Sequence, residues 1–180
     1  MRVLDVRRHT MRRKPGAHLS REGIALARMV ANGVPKYDLV VTSTIPRAVE
    51  TALVMGFEVD QCLEELGHLA ADAEAEVGWP SPFGSVGTAV AANGAAARFA
   101  SKQAQVWQSI MGQLTDGGRA LIISHGLIAE LGAVGSLPDA DHALWGDAFG
   151  YCEGIRLVDY DGGLQGELLR LPDDQRLIEN

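Results

Sequence analysis

Short apolar runs alternate along this chain with longer segments of helical period, and that alternation sets the elements to expect. Val3 to Arg8 opens as a buried strand centred on Val3-Leu4-Asp5-Val6, and a basic loop containing Pro15 and Gly16 follows from Met11 to His18. Ser20 stands at a helix N-cap position, with Glu22 in the first turn to complement the helix dipole. Ile24, Ala25, Ala27, Val30 and Ala31 form an uneven helical stripe that Asn32-Gly33 ends. Tyr37 to Ser43 repeats the strand pattern about Leu39-Val40-Val41. Thr44 is expected to cap a second helix, with Pro46 and Arg47 in its first turn, running to Gly56.

Phe57 to Leu66 reads as a short extended segment carrying Glu64 and Glu65. Residues 67–97, rich in Ala and Gly, read as an insertion or lid with one short helix. Arg98 to Leu114 is helical by composition, with Phe99, Val106, Ile110 and Leu114 as candidate core contacts. Ala120 to Ser124 is another apolar strand, and Leu127 to Gly135 an apolar helix after His125. Ile155 to Tyr160 and Leu164 to Leu171 predict a hairpin around Asp161-Gly162-Gly163.

Strands alternating with helices predict a three-layer α/β/α sandwich with a mostly parallel central sheet. The length, 180 residues, fits a single domain. Ligands of such sheets bind beyond the carboxyl ends of the strands. Arg8-His9, Ser43 to Arg47 and His125-Gly126 all fall at such ends, so one site assembled from distant segments is expected.

Charge sharpens that expectation. The net charge of −7 conceals ten Lys/Arg against four acids in residues 1–50, with six against nineteen in the remainder. A local basic region in an acidic chain fits a small anionic ligand better than nucleic acid. No apolar run approaches the about 20 residues that cross a bilayer. Arg2, Asp5, Arg7 and Arg8 interrupt the N-terminal apolar stretch, so neither a signal peptide nor a membrane partner is expected and the compartment reads as cytoplasmic. Cys62 and Cys152 lack metal-ligand spacing and read as two buried free thiols. His18, His68 and His142 read as surface or capping residues, and Trp79, Trp107 and Trp145 as core or lid packing.

The chemistry these residues permit is phosphoryl transfer. Arginines offer planar forks to phosphate oxygens, and a neutral imidazole is a competent nucleophile near pH 7. A second histidine can stabilise the equatorial oxygens. A carboxylic acid, Glu65 or Glu64, can protonate the leaving alkoxide. Arg47 in a first helical turn is poorly placed for the dipole, which favours an anion-binding role instead. Ser124 beside His125 makes a poor serine nucleophile, because G-x-S-x-G is absent.

Five segments, in order, carry a resemblance: Arg8-His9-Thr10; Leu19-Ser20-Arg21-Glu22-Gly23-Ile24-Ala25-Leu26-Ala27; Ser43 to Ala52, with Arg47-Ala48 and Thr51-Ala52; Leu63-Glu64-Glu65; and Ser124-His125-Gly126. Together they resemble the histidine phosphatase superfamily, the phosphoglycerate-mutase-like phosphatases and mutases. The resemblance implies His9 as the phosphorylated nucleophile, with Arg8, Arg47 and His125 completing the phosphate pocket. It places the acid at Glu65, with Glu64 as the fallback, and implies no metal or organic cofactor. The implied activity is hydrolysis of a phosphomonoester, on a small metabolite or a phosphorylated protein side chain. A phosphoglycerate-type mutase and a non-catalytic phosphate-binding module are the alternatives. Thr10 departs from the usual glycine, and a β-branched residue is costly wherever φ must be positive. Arg12 departs from the usual small polar residue and, with Arg13 and Lys14, reads as a solvated basic loop.

Overall fold

Arg2–Arg8 forms the first strand, β1, with all but its first residue buried, in a computed structural model that describes residues 1–160 and 163–179. After it come α1 (Arg21–Ala31), β2 (Leu39–Ser43), α2 (Pro46–Val54), β3 (Gln61–Leu63), α3 (Ala71–Val77), α4 (Phe83–Ala91) and α5 (Ala95–Gly112). The chain continues through β4 (Arg119–Ser124), α6 (Ile128–Ser136), β5 (Gly154–Tyr160) and β6 (Gly163–Leu169). Short 3-10 turns lie at Glu64–Leu66, His142–Trp145 and Asp173–Gln175.

The sheet order is β3-β2-β4-β1-β5-β6. β3, β2, β4 and β1 pair in parallel, whereas β5 runs antiparallel to both β1 and β6. Alternation along β4 supplies both faces: Leu121 and Ile123 pack with α1 and α2, and Ala120 and Ile122 with the helices of the other layer. That layer holds α3 to α6, so the sheet is covered on both sides as the strand-helix alternation requires. Close contact of α5 and α6 depends on Gly132, where a Cβ would lie 2.3 Å from the Trp107 indole. Among the described residues no helix is long and apolar enough to cross a membrane.

Local signals placed several boundaries correctly. Ser20 Oγ accepts from the Gly23 N–H at 3.0 Å and caps α1, and Asn32 ends that helix. Thr44 does not cap α2: Ile45 precedes it without a side-chain cap, and Pro46 occupies the first turn, where its missing N–H costs nothing. Residues 67–97 hold two helices, α3 and α4, rather than one, and α5 starts at Ala95 rather than Arg98. The cause of that earlier start is tertiary. Glu76, from α3, accepts from the Ala95 and Ala96 amides at 2.8 Å each, capping α5 from a different helix. Of the two thiols, Cys152 is buried but Cys62, on the edge strand β3, is exposed. β5 and β6 pair as the hairpin expected, while Asp161-Gly162 of its turn lie outside the described residues.

Past β6 the chain folds back toward β1, and Glu153 organises that return. Its fully buried carboxylate accepts from the amides of Gly150 (2.7 Å) and Leu171 (3.0 Å), from Arg170 Nη1 (2.8 Å) and from Arg176 Nε (3.0 Å). These contacts hold it below the usual carboxylate range against the opposing effect of burial. Glu153→Ala removes the one anion these donors share, and breaking a buried pair in this way costs about 3–5 kcal/mol. Guanidinium denaturation should show a loss of that size; a loss under about 1 kcal/mol is what an exposed pair gives and would refute the buried-hub description.

Candidate active site

Parallel pairing of β1 with β4 puts Arg8 opposite Ser124, so the residues that follow, His9 and His125, leave neighbouring strands side by side. The His9 amide donates to the Ser124 carbonyl at 2.9 Å, and the two imidazole centroids lie 5.0 Å apart. This spacing is the strand-to-strand distance carried one residue past the sheet. Each histidine is about as buried as the strands that deliver it, with 5% exposure for His9 and 6% for His125. His9 Nδ1 lies 2.6 Å from the Thr10 carbonyl, which only accepts, so Nδ1 carries the proton and Nε2 the lone pair. Arg47 Nε, at 3.0 Å, donates to that lone pair. His125 Nε2 shares a 2.7 Å hydrogen bond with Ser43 Oγ, from the end of β2. Burial, reinforced by His125 and the nearby arginines, holds His9 well below the ordinary imidazole value. Burial and the charges of Arg47 and Arg8 push His125 down to about 3. Both rings are neutral at pH 7.

Around them lie cations without matching anions. Arg8 is 5% exposed, and its Nη1 donates to the carbonyls of Phe149 (2.8 Å) and Ile178 (2.6 Å). Its guanidinium is stacked between Tyr151 and Trp79, 4.1 Å and 5.0 Å from their ring centroids. Arg47 stands at the start of α2, and Arg12 opposes it with like charge. Among the described residues neither Arg8 nor Arg47 forms an ion pair with a carboxylate. Buried cations are ordinarily paired, so this concentration of positive charge could accommodate an anion. Among the described residues no three His, Cys, Asp or Glu side chains are arranged to hold a metal ion.

Comparison with solved structures bears on the fold that makes this arrangement. Phosphoserine phosphatase from Entamoeba histolytica superposes with a TM-score of 0.70, at 15% identity over 95% of this chain and 98% of that one. Phosphoglycerate mutase from Bacillus anthracis gives 0.66, at 15% identity over 92% and 91%. A mycobacterial glucosyl-3-phosphoglycerate phosphatase gives 0.61, at 19% identity over 93% and 97%. The fold is the α/β fold shared by these two phosphatases and this mutase. No protein-family model and no curated protein matches the sequence.

Within this fold, His9, His125, Arg8 and Arg47 come together as the sequence leads one to expect, and Thr10 fits without strain. The described non-glycine residues at positive φ are Asn93, Leu127 and Cys152, not Thr10. Thr10 instead cross-links the site, its Oγ1 donating to Gly23 O (2.8 Å) and its amide donating to Thr51 Oγ1 (3.1 Å). Arg12 is half-buried, with Nη1 donating to Gly16 O at 2.9 Å, whereas Arg13 and Lys14 are exposed as expected. Glu64 and Glu65 are exposed on the 3-10 turn after β3, lining a cleft of about 450 Å³ with His68, Asp72, Arg98 and Lys102. The turn itself is fixed at the sheet edge: Ser124 Oγ donates to Leu66 O (2.7 Å) and Gln103 Nε2 to Glu65 O (2.6 Å).

Ser43 as the His125 partner, and the Tyr151, Phe149 and Ile178 contacts to Arg8, were not legible in the sequence. All but Ser43 come from segments some 140 to 170 residues away from Arg8. Trp79 was expected to be core or lid packing, and it does cover the site, lying so close to Gly126 that a Cβ there would be 2.6 Å from the indole.

Two outcomes follow from this geometry. Phosphate held on Arg8 should change the indole emission of the wild-type protein, and Trp79→Phe should abolish the change while binding persists by calorimetry. An unaltered response in Trp79→Phe would place the reporting indole elsewhere. For His125, the folded value of about 3 lies below the unfolded value of about 6.5, so the unfolded chain binds the extra proton as pH falls. The resulting stability loss is absent above pH 6.5 and grows by about 1.4 kcal/mol per unit below it. Glu130, raised to about 7 by burial, acts with the opposite sign, so the informative quantity is wild type minus His125→Asn. That difference should be flat above pH 6.5 and slope below it in urea titrations; a flat line down to pH 5 contradicts the buried neutral ring.

Proposed function

We propose that this protein is a phosphomonoester phosphatase that works through a phosphohistidine on His9. The observation that carries the reading is the state of His9. Its Nδ1–H is committed to the Thr10 carbonyl while its Nε2 lone pair faces Arg47, beside cations that no carboxylate neutralises. A dianionic phosphoryl group placed there draws the Arg47 guanidinium from Nε2 onto its oxygens, with Arg8 and His125 completing the cradle. Nε2 then attacks phosphorus, the ester P–O bond breaks, and the leaving alkoxide takes a proton from Glu65. The Thr10 carbonyl stabilises the positive charge that phosphorylation places on the ring. Water, deprotonated by the same carboxylate, attacks phosphorus in the second step, the P–N bond breaks, and inorganic phosphate leaves.

Glu65 takes the acid role, with Glu64 as the fallback: their turn is held by Ser124, next to His125, and by Gln103 of α5, and both side chains are exposed. Solved structures sharing the fold include two phosphatases and a phosphoglycerate mutase, which supports chemistry on a phosphomonoester.

The test is turnover of p-nitrophenyl phosphate and of an alkyl phosphate, with acid-labile phosphate sought at position 9 after rapid quenching. His9→Ala should abolish both signals. Arg8→Ala and Arg47→Ala should each lose about 2–5 kcal/mol of transition-state stabilisation, on the scale of truncated buried charges. Glu65→Gln should slow the alkyl substrate far more than the nitrophenyl ester, whose leaving group needs no proton. Wild-type turnover no faster than His9→Ala at any pH would leave a phosphate-binding module instead of an enzyme.

A further inference from the structure

One buried ionisable group has no part in that mechanism. Glu130, in the first turn of α6, has 0% exposure on a helix whose remaining buried face carries no charge. A carboxyl is kept in such surroundings only when it is bonded or serves the site. We propose that Glu130 is a positioning residue of the phosphate site, its carboxyl joining the turn that delivers His125 to the loop that holds Arg8. The inference rests on Arg8 and His125 being phosphate ligands, as argued above.

Both halves of the link are present. Glu130 is the third residue of α6, the position from which an acid folds back on the N-cap amide. The N-cap is Leu127, two residues after His125, and it sits at φ +62°. Glu130 thus belongs to the same first turn, five residues after His125, and the nearby amides of Glu130 and Leu127 favour its ionised form. On the other side, Glu130 Oε1 accepts from the Phe149 N–H at 2.8 Å. The Phe149 carbonyl in turn accepts from Arg8 Nη1 at 2.8 Å. One residue, Phe149, therefore relays the carboxyl to the guanidinium. Glu130 Oε2 and Arg8 Nε are both buried without a hydrogen-bond partner among the described residues.

Charge follows the same path. Arg8, from β1, is the ionised group that acts on Glu130. Besides Glu130, Tyr151 and Cys152 in the turn before β5 and Glu179 in the C-terminal segment act on Arg8, and His125 stands ahead of α6 as a neutral ring. α4 has no ionisable side chain, and Arg98 and Lys102 of α5 are exposed. Burial raises the Glu130 carboxyl to about 7 despite Arg8 and the helix amides. Ionised Glu130 offsets part of the Arg8 charge, so an anion binds more weakly once the carboxyl has lost its proton. Glutamine keeps the acceptor for Phe149 and removes the titration.

Sulfate is the suitable probe because it stays a dianion across the range. Its dissociation constant is measured by calorimetry from pH 5.5 to 8.5 for wild type, Glu130→Gln and Glu130→Ala. The wild-type constant should rise relative to Glu130→Gln by about three- to tenfold between pH 6 and 8, the size of effect a nearby like charge has. Glu130→Ala should bind at least about tenfold more weakly than Glu130→Gln at every pH, the loss of one supporting hydrogen bond at a charged ligand. Glu130→Gln should restore that binding at pH 6. Parallel wild-type and Gln profiles, with sulfate still bound, overturn the role of Glu130 alone. Failure of the wild type to bind sulfate overturns the phosphate site and this inference together. If Glu130→Ala does not fold, the Gln profile decides.

Discussion

The Arg8 guanidinium and two imidazoles are drawn out of water at one sheet edge beside the half-buried Arg47, with no carboxylate bonded to either arginine among the described residues, and the rest of the molecule is organised around tolerating that. Desolvated cations without anions oppose folding, so each must be restrained by something other than an opposite charge. The imidazoles stay neutral. Arg8 is stacked between two aromatic rings and bonded to two backbone carbonyls, and Arg47 donates to a histidine nitrogen. Carbonyls and ring faces carry partial negative charge, enough to orient a guanidinium and too little to neutralise it. Its charge is thereby left for a ligand.

That solution moves the burden onto segments far from the histidines. The carbonyls that hold Arg8 belong to Phe149 and Ile178, so the loop before β5 and the returning C-terminal segment must both be fixed. Glu153 fixes the latter through Arg170 and Arg176, and Glu130 fixes the former through the Phe149 amide. Both acids thus bond to the segments that hold Arg8 and not to Arg8 itself. Trp79 closes the arrangement from the helical layer, using the space Gly126 leaves open.

Much of this was visible in the amino-acid order, for a definable reason. Where backbone hydrogen bonding and side-chain period act locally, as at Ser20, in β4 or in the apolar α6, a few neighbouring residues decide the outcome. His9 and His125 were legible as partners because each ends a buried strand, and parallel strands share an edge. Thr44 failed as a cap because Pro46 had already satisfied the first turn. The start of α5 was missed because its cap, Glu76, arrives from another helix. Cys62 is exposed because its strand is the outermost one, a matter of sheet order and not of the residues beside it.

The sequence by itself determined the layered α/β architecture, the strand ends that meet, and the residue types able to hold a phosphate, since these follow from period, capping and charge along a short stretch of chain. Tertiary structure alone decided which nitrogen of His9 carries the lone pair, what restrains Arg8, where Glu65 stands, and that Glu130 is buried beside the site. Each of those depends on atoms brought together across long separations, where distance and exclusion of water, not residue identity, set the strength of an interaction.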